Sequence, residues 1–332
     1  MTKRKIGLLS KKRGNYKLQE KISSVEDQTN HEVQHHKKAL LDAGFDVQII
    51  KWGPDFISEI LSSDLDIVFN VSSLVEAAIL EEYQIPFIGS GTDAIILARN
   101  KVLAKKLWMQ KKIPTSNFAV INNIKDCDIF INNSSITYPL FIKPIAGRGS
   151  AGISSHSKII DENQLTKQVE ILLKTIKQPI IVENFLSGRE ITVGVLGNGK
   201  NLRVLPPLEI QYNGKGFLTF DKKENDDDEF HCPANLTRDE KRSIKKFVKQ
   251  AYLSIGLRDF ARIDTKLTPD GLMLLEANSF AGLTCTPSEK PRSYIGFMAQ
   301  AEGNSGKQLL KEIVDIGLER INHQEYRYAA SA

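Results

Sequence analysis

Short apolar runs alternate with helical runs over about the first hundred residues, and this alternation constrains the fold more than any other feature. The run "KIGLLS" predicts a strand, and "TNHEVQHHKKALLDAGF" predicts an amphipathic helix that ends at Gly44. Runs of the same two kinds continue to "IPFIGS". Strands separated by helices form a mostly parallel sheet with helices on its faces. We therefore predict an N-terminal α/β domain over residues 1–98.

The pattern changes after "TDAIILARNKVLAKKLWMQKK", a run that predicts helix with Thr92 as its N-cap. Its lysines are typical of a solvated helix face. From about residue 115, strand-like runs lie closer together, with helices such as "DENQLTKQVEILLKTIKQ" between them. We predict an α+β pattern here, divided into residues 99–188 and residues 189–332. A chain of 332 residues is long enough for two or three such units.

Composition excludes several classes of function. The formal net charge is +5, but the basic residues are scattered and lack the interleaved aromatics of a base-stacking surface. We expect no nucleic-acid partner, and the mild positive charge suits small anionic substrates. No apolar run reaches the roughly 18 residues of a membrane span. Three widely spaced cysteines form neither a disulfide framework nor a zinc site, so we expect a reducing cytoplasm.

The stretch "RIDTKLTPDGLMLLEANS" carries polar residues within an apolar strand. Because a strand points alternate side chains to opposite faces, Glu276 and Asn278 share one face while Leu275 and Ala277 pack on the other. Asp264 precedes the turn "TPDG", which folds its own strand back beside this one. Three oxygen-bearing side chains would then converge. Either they hold a metal ion, or Glu276 is a salt-bridged carboxylate near a sheet edge.

A glycine-rich loop lies in "FIKPIAGRGSAGI". Lys143 ends an apolar strand, and the loop that follows includes Gly149 and Ser150. Glycine lets backbone N–H groups approach phosphate oxygens closely. The spacing matches neither a P-loop nor a dinucleotide-binding G-x-G-x-x-G. A surface hairpin would have a similar loop, but the strand-terminal lysine favours a phosphate site.

A second polar strand end lies in "IIVENFLSGREITVGVLG". Glu183 ends a strand, and Glu190 follows after a short turn. Carboxylates in such places can bind ribose hydroxyls, and the backbone from Asn184 to Leu186 can pair with an adenine edge. A polar hairpin is the alternative interpretation of the same residues.

Together these stretches resemble the ATP-grasp superfamily and, within it, the D-alanine–D-alanine ligases. The resemblance covers about residues 85–320. It rests on the stretches "IPFIGSGTDAIILARNKVLAKKLW", "FIKPIAGRGSAGI", "VENFLSGREITVGVLG", "FHCPANL" and "RIDTKLTPDGLMLLEANSFAGLT". It implies an ATP-grasp fold of three subdomains, with ATP held between the central and C-terminal ones. ATP and two Mg²⁺ ions are the implied cofactors, and Mn²⁺ could replace Mg²⁺.

The resemblance also implies roles for individual residues. The predicted ATP-binding residues are Lys101, Lys143, Gly149, Ser150, Glu183, Asn184, Phe185, Leu186, Glu190 and Lys222. The predicted metal ligands are Asp264, Glu276 and Asn278. Arg262, Lys222 and Ser150 are the predicted catalytic residues, and Arg262 would stabilise a tetrahedral intermediate. Lys222 belongs to the acidic loop 221–230, which is either a solvated loop or a mobile cover of the site.

The implied reaction is an ATP-dependent ligation of a carboxylate to an amine through an acyl phosphate. Small amino acids or carboxylates are the implied substrates. The resemblance also allows a homodimer, since relatives often pair through the N-terminal domain.

The sequence departs from the family where substrates bind. Ser24 and Glu26 match the family's Ser-x-Glu element only loosely, and the "HGxxGEDG" loop is absent, with Glu76 the nearby acid. The serine that follows "PG(M/F)T" in the family is replaced by a proline, and Ser288 is next to it. The candidate substrate contacts are Glu26, Glu76, Gly282 and Ser288.

These departures predict a ligase of specialised metabolism whose substrates differ from two D-alanines. One alternative is a divergent but genuine D-alanine–D-alanine ligase of peptidoglycan synthesis. Another is a catalytically silent ATP-binding protein. Outside these motifs, His31, His35 and His36 are predicted to be surface or capping groups of the first helix.

Overall fold

The computed structural model describes residues 3–10, 23–71, 74–133, 136–146, 152–212, 229–285 and 293–330. The strands are β1 (Lys5–Ser10), β2 (Asp46–Lys51), β3 (Ile67–Phe69), β4 (Phe87–Ile88), β5 (Phe118–Ile121), β6 (Leu140–Pro144), β7 (Lys158–Ile159), β8 (Ile180–Asn184), β9 (Arg189–Leu196), β10 (Arg203–Val204), β11 (Leu208–Gln211), β12 (Glu229–His231), β13 (Phe260–Thr268) and β14 (Gly271–Asn278). The helices are α1 (Ser23–Asp42), α2 (Phe56–Ser62), α3 (Leu74–Glu82), α4 (Thr92–Arg99), α5 (Lys101–Gln110), α6 (Ile124–Asn133), α7 (Glu162–Ile176), α8 (Arg238–Ile255), α9 (Tyr294–Ala301) and α10 (Gly306–Ala330).

The N-terminal sheet has four strands in the order β2-β1-β3-β4, all parallel. Side chains of β1 alternate between two apolar layers. Ile6 and Leu8 pack in one cluster with Val33 and Leu40 of α1, whereas Leu9 packs in a second cluster on the other side. Both faces are therefore covered, as the alternating sequence pattern predicts.

The other two sheets are antiparallel. The central sheet has the order β5-β8-β6-β7, and α6 and α7 pack against it. The C-terminal sheet has the order β12-β11-β9-β13-β14, with β10 paired to β9. Helix α8 covers one face of this last sheet together with α4 and α5. The apolar cluster on its other face is shared with the N-terminal sheet.

The helical run at residues 92–112 is broken rather than continuous. Gly91, and not Thr92, holds the N-cap position of α4, without a side-chain cap. Asn100 leaves helical geometry, and its side chain accepts hydrogen bonds from the N–H groups of Val102 and Leu103, both at 3.1 Å. An asparagine in this role starts a new helix. As a result, Lys101 is the first residue of α5, and its N–H donates to the carbonyl of Ile145 in the central subdomain.

The turn "TPDG" closes an antiparallel hairpin of β13 and β14, as predicted. One detail of that prediction is wrong. Asp264 pairs with Glu276, but the next residue, Thr265, pairs with Leu274, so Leu275 is an extra residue in a β-bulge. It is therefore Leu274, and not Leu275, that packs in the core on the side of Ala277.

In the part of the chain that the structure describes, no helix is long and apolar enough to cross a membrane.

Candidate active site

The hairpin β13–β14 supplies a half-buried carboxylate, Asp264, whose two oxygens accept four hydrogen bonds. Arg262 donates from Nε to Oδ1 of Asp264 at 2.8 Å and from Nη2 to Oδ2 at 2.9 Å. Thr192 donates to Oδ1 at 2.6 Å, and Asn278 donates to Oδ2 at 2.9 Å. Burial would raise the pKa of Asp264, but the charge of Arg262 and these hydrogen bonds lower it. The carboxylate is therefore held in its charged form.

The donor set suits a hard divalent cation. Glu276 lies opposite Asp264 in the register, and Asn278 follows two residues later on the same face. Carboxylate and amide oxygens are ligands that Mg²⁺ prefers, and Mg²⁺ usually takes few from the protein. Among the described residues, no three His, Cys, Asp or Glu side chains form a metal cluster. Phosphate oxygens and water would have to complete the coordination of an ion here.

Asp264 cannot take up a metal ion without a local rearrangement. Each of its carboxylate oxygens already accepts two hydrogen bonds, which uses the in-plane lone pairs. The guanidinium of Arg262 also lies over the ring of Tyr294, 4.9 Å from the ring centroid. Binding of a cation to Asp264 would displace at least one of these hydrogen-bond donors. Arg262 is the donor that is positively charged, so the cation would repel it.

Two lysines form ion pairs with glutamates in this region. Lys101, at the start of α5, places Nζ 3.2 Å from Oε2 of Glu276. Lys143, at the end of β6, places Nζ 2.5 Å from Oε1 of Glu183 at the end of β8. Burial would lower the pKa of Lys143, but Glu183, Glu276 and Glu190 raise it overall. Both lysines are buried.

A third lysine, Lys105, lies beneath this pair. Its Nζ donates to Thr115 at 2.7 Å and to Ser116 at 2.8 Å, and lies 2.9 Å from Oε2 of Glu183. Its side chain has no exposed surface. The solvated face predicted for this helical run is therefore wrong for Lys101 and Lys105. Burial would raise the pKa of Glu183, but Lys105 and Lys143 lower it to about 2.

The segment after Glu183 presents its backbone differently at each residue. The N–H of Asn184 donates to Asn117 at 3.3 Å, and that of Phe185 donates to Pro139 at 3.0 Å. The N–H of Leu186 makes no backbone hydrogen bond to a described residue. Of the backbone predicted to pair with an adenine edge, the N–H groups of Asn184 and Phe185 therefore have partners, and that of Leu186 has no backbone partner among the described residues.

One lysine lies over the ring of Phe185, and another lies near Glu190. The ammonium of Lys158 lies 4.3 Å from the centroid of the Phe185 ring. Lys266 places Nζ 3.8 Å from Oε2 of Glu190, the predicted ribose ligand. Burial raises the pKa of Glu190 despite this neighbour.

The family is decided by a match over most of the chain. The family model described as "D-ala D-ala ligase C-terminus" matches residues 107–315. The chain belongs to the D-alanine–D-alanine ligase family. A D-alanine–D-alanine ligase of Cupriavidus pinatubonensis is 30% identical over 71% of this chain and 69% of the relative. A D-alanine–D-alanine ligase of Bordetella pertussis is 27% identical over 93% of this chain and 94% of the relative.

Solved structures confirm the ATP-grasp fold. The D-alanine–D-alanine ligase of Bacillus anthracis complexed with ATP matches with a TM-score of 0.73 at 18% identity, over 97% of this chain and 99% of that one. VanG D-Ala:D-Ser ligase of Enterococcus faecalis matches with a TM-score of 0.70 at 20% identity, over 95% and 100%. As a member of the D-alanine–D-alanine ligase family, the protein is an ATP-dependent C–N ligase.

Eight of the predicted site residues lie near one another, and their roles stay predictions. The structure brings together the residues Lys101, Lys143, Glu183, Glu190, Arg262, Asp264, Glu276 and Asn278. Gly149, Ser150 and Lys222 lie outside the described residues, as does most of the acidic loop 221–230.

A residue that the sequence interpretation missed, Glu32, lies beside Gly282, which is a predicted substrate contact. A Cβ built on Gly282 would lie 3.6 Å from Oε1 of Glu32, which belongs to α1. Glu26 lies on the same helix, but its side chain is outside the described residues, as is all of Ser288. No spacing signal distinguishes Glu32 from the other polar positions of α1. Only the docking of α1 beside Gly282 reveals it.

The second acid predicted at the substrate end, Glu76, is buried in α3. Its charge acts on Arg99 at the end of α4. The guanidinium of Arg99 lies 5.7 Å from the ring centroid of Phe280. Phe280 lies between Asn278 and Gly282 in the sequence. His36 also differs from its prediction, because it is buried rather than a surface or capping group.

Proposed function

We propose that the protein joins the carboxyl group of one amino acid to the amino group of a second one, with ATP as the phosphoryl donor. The observation that carries this proposal is the meeting of Lys101 with Glu276 across the central and C-terminal elements, beside Asp264 and Asn278. Cations and hard oxygen ligands at one place suit a triphosphate and its magnesium ions.

Each group has a role in this reaction. Bound Mg²⁺ would offset the charge of the phosphates during transfer. Lys101 and Lys143 would hold phosphate oxygens in line with the attacking carboxylate. Transfer to that carboxylate gives an acyl phosphate, whose phosphate is a good leaving group when the second amine attacks. Arg262 would face the oxyanion of the tetrahedral intermediate once it has moved away from Asp264.

The acyl donor is proposed to be an amino acid because of Glu32. A carboxylate beside Gly282 can accept hydrogen bonds from a substrate ammonium group. Gly282 lies four residues beyond the predicted metal ligand Asn278 in the chain. The two named relatives act as D-alanine–D-alanine ligases, and D-alanine is therefore the first substrate to test.

A second candidate, a ligase whose acyl donor has a polar side chain, is favoured by Arg99. Its Nε is buried without a hydrogen bond to a described residue, and its guanidinium lies over Phe280. A carboxylate or hydroxyl on the substrate side chain would give this Nε an acceptor. Such a preference would fit a role in specialised metabolism.

A substrate panel separates the two candidates. The protein is incubated with ATP, Mg²⁺ and pairs of D- and L-amino acids, with alanine, serine and aspartate as acyl donors. ADP release and dipeptide masses are recorded. D-Alanyl-D-alanine as the dominant product supports the first candidate, and a serine- or aspartate-derived product that is lost in Arg99→Met supports the second. Absence of ADP release and of any dipeptide from every pair refutes the proposed ligation of amino acids.

A further inference from the structure

Lys105 is the most deeply buried charge near the nucleotide end, and it has no role in the proposed chemistry. It touches no predicted phosphate or metal site directly. Its ammonium group instead contacts Glu183, whose other carboxylate oxygen contacts Lys143. Ser116 adds a hydrogen bond from its hydroxyl to the same Glu183 oxygen at 2.8 Å. Glu183 is therefore shared between one lysine that faces the site and one that lies behind it.

Because Glu183 pairs with two lysines, its ion pair with Lys143 is weaker than a pair with Lys143 alone would be. A single buried carboxylate with a single lysine would form a closed ion pair of no net charge. With two lysines, the cluster keeps one positive charge that the carboxylate does not neutralise. An anionic phosphate at Lys143 would supply the missing negative charge, which is worth more at a buried site than in water.

Lys105 also links the central sheet to the C-terminal sheet. It donates to Thr115, and the hydroxyl of Thr115 donates to the carbonyl of Leu274 at 2.8 Å. Leu274 precedes Glu276 by two residues on β14, and Glu276 contacts Lys101. One buried ammonium group therefore supports both the strand that carries the predicted metal ligand and the glutamate that holds Lys143.

We propose that Lys105 is a positioning residue for nucleotide binding. It pairs with one carboxylate oxygen of Glu183, and this pairing leaves Lys143 free to bind a phosphate. The inference rests on the proposed ATP site, and it concerns a residue that does not contact the nucleotide. Loss of Lys105 would leave Lys143 in a closed pair with Glu183, and nucleotide affinity would fall.

The test measures binding of Mg²⁺-ADP to the full chain by titration calorimetry, without any amino-acid substrate. Lys105→Met keeps the length of the side chain and removes the charge. Lys106→Met is the matched control, because Lys106 is the next residue and is exposed. We expect the dissociation constant to rise about tenfold or more in Lys105→Met, the range of one charge-assisted hydrogen bond. Lys106→Met is expected to match the wild type.

A double-mutant cycle distinguishes positioning from a general loss of structure. If Lys105 acts through Lys143, Lys105→Met should have little further effect on binding in a Lys143→Met background. A merely structural defect would weaken binding equally in both backgrounds, and that result would overturn the inference. Ser116→Ala removes a hydroxyl from the same cluster, keeps all three charges and should weaken binding in the same direction but less. If Lys105→Met does not fold, Ser116→Ala decides the question alone, and wild-type affinity in it refutes the inference.

The readout keeps the two claims separate. If the wild-type protein binds no Mg²⁺-ADP or Mg²⁺-ATP, the proposed function itself fails. If the wild-type protein binds nucleotide and Lys105→Met binds it equally well, only the role of Lys105 is wrong.

Discussion

Replacing Glu183 by glutamine should destabilise the protein, and the structure gives the magnitude. The pKa of Glu183 falls from 4.5 to about 2 because Lys105 and Lys143 outweigh the effect of burial. At about 1.36 kcal/mol for each pH unit, this difference makes the charged carboxylate worth about 3 kcal/mol of folding free energy. The residue is only 3% exposed, so solvent screening does not reduce the figure. Glutamine keeps the shape and removes the charge, so both buried lysines lose the carboxylate that contacts them directly.

The assay is equilibrium unfolding in urea near neutral pH, with the free energy of unfolding compared between variants. We expect Glu183→Gln to lose about 3 kcal/mol. Glu170→Gln is the control, because Glu170 pairs with Lys174 on the exposed face of α7. Its unfolding midpoint should match that of the wild type.

The pH dependence provides a second check on the same carboxylate. The folded-state pKa is lowered, so the contribution of Glu183 is fully present above about pH 4.5 and is lost as the pH falls through about 2. The wild type should lose this stability on acidification, and Glu183→Gln should not. A loss of less than about 1 kcal/mol near neutral pH would refute the reasoning, because one ordinary hydrogen bond would explain it.

Three further predictions concern separate parts of the molecule. Burial lowers the pKa of His36 to about 4, so the unfolded chain binds a proton below about pH 6.5 that the folded protein excludes. Between about pH 7.5 and about pH 5, the wild type should therefore lose about 2 kcal/mol more unfolding free energy than His36→Leu, and equal losses would contradict the burial of a neutral imidazole. Glu276→Ala should reduce ATP-dependent turnover about a hundredfold or more, because mutation of residues that only support a metal ligand already lowers activity about 10–100-fold. Asp270→Ala, at the exposed tip of the hairpin, is the control and should leave turnover unchanged. Thr237→Ala removes the side-chain half of the capping box of α8 and should cost about 1 kcal/mol in urea unfolding, so an unchanged midpoint would show that this cap is not needed.

Local chemistry explains which parts of the fold can be predicted. The turn "TPDG" and the strands around it determine the hairpin that places Glu276 and Asn278 on one face. The parallel N-terminal sheet follows from the alternation of apolar and helical runs. The bulge at Leu275 has no counterpart in the period of alternation, which contains no information about it.

The residues that were missed share a physical cause. Lys105 lies four residues after Lys101, so both project from one face of α5, but the composition of that face is that of a solvated helix. Only the packing of α5 against the central and C-terminal sheets buries it beside Glu183. Glu32 likewise lies beside Gly282, which is distant in sequence, and His36 on the same helix is buried. Burial of a polar side chain is a tertiary property, and a pattern of residue types along one helix does not determine it.

In the proposed reaction a substrate carboxylate attacks the terminal phosphate of ATP, and an oxygen label tests this step. The amino acid that supports the fastest ADP release is prepared with ¹⁸O in its carboxyl group and incubated with the protein, Mg²⁺ and ATP. An acyl phosphate must leave one carboxyl oxygen on the phosphate when the amine attacks. We therefore predict ADP and inorganic phosphate that carries one ¹⁸O atom, measured by mass spectrometry. Unlabelled phosphate, or AMP and pyrophosphate in place of ADP, would contradict the account.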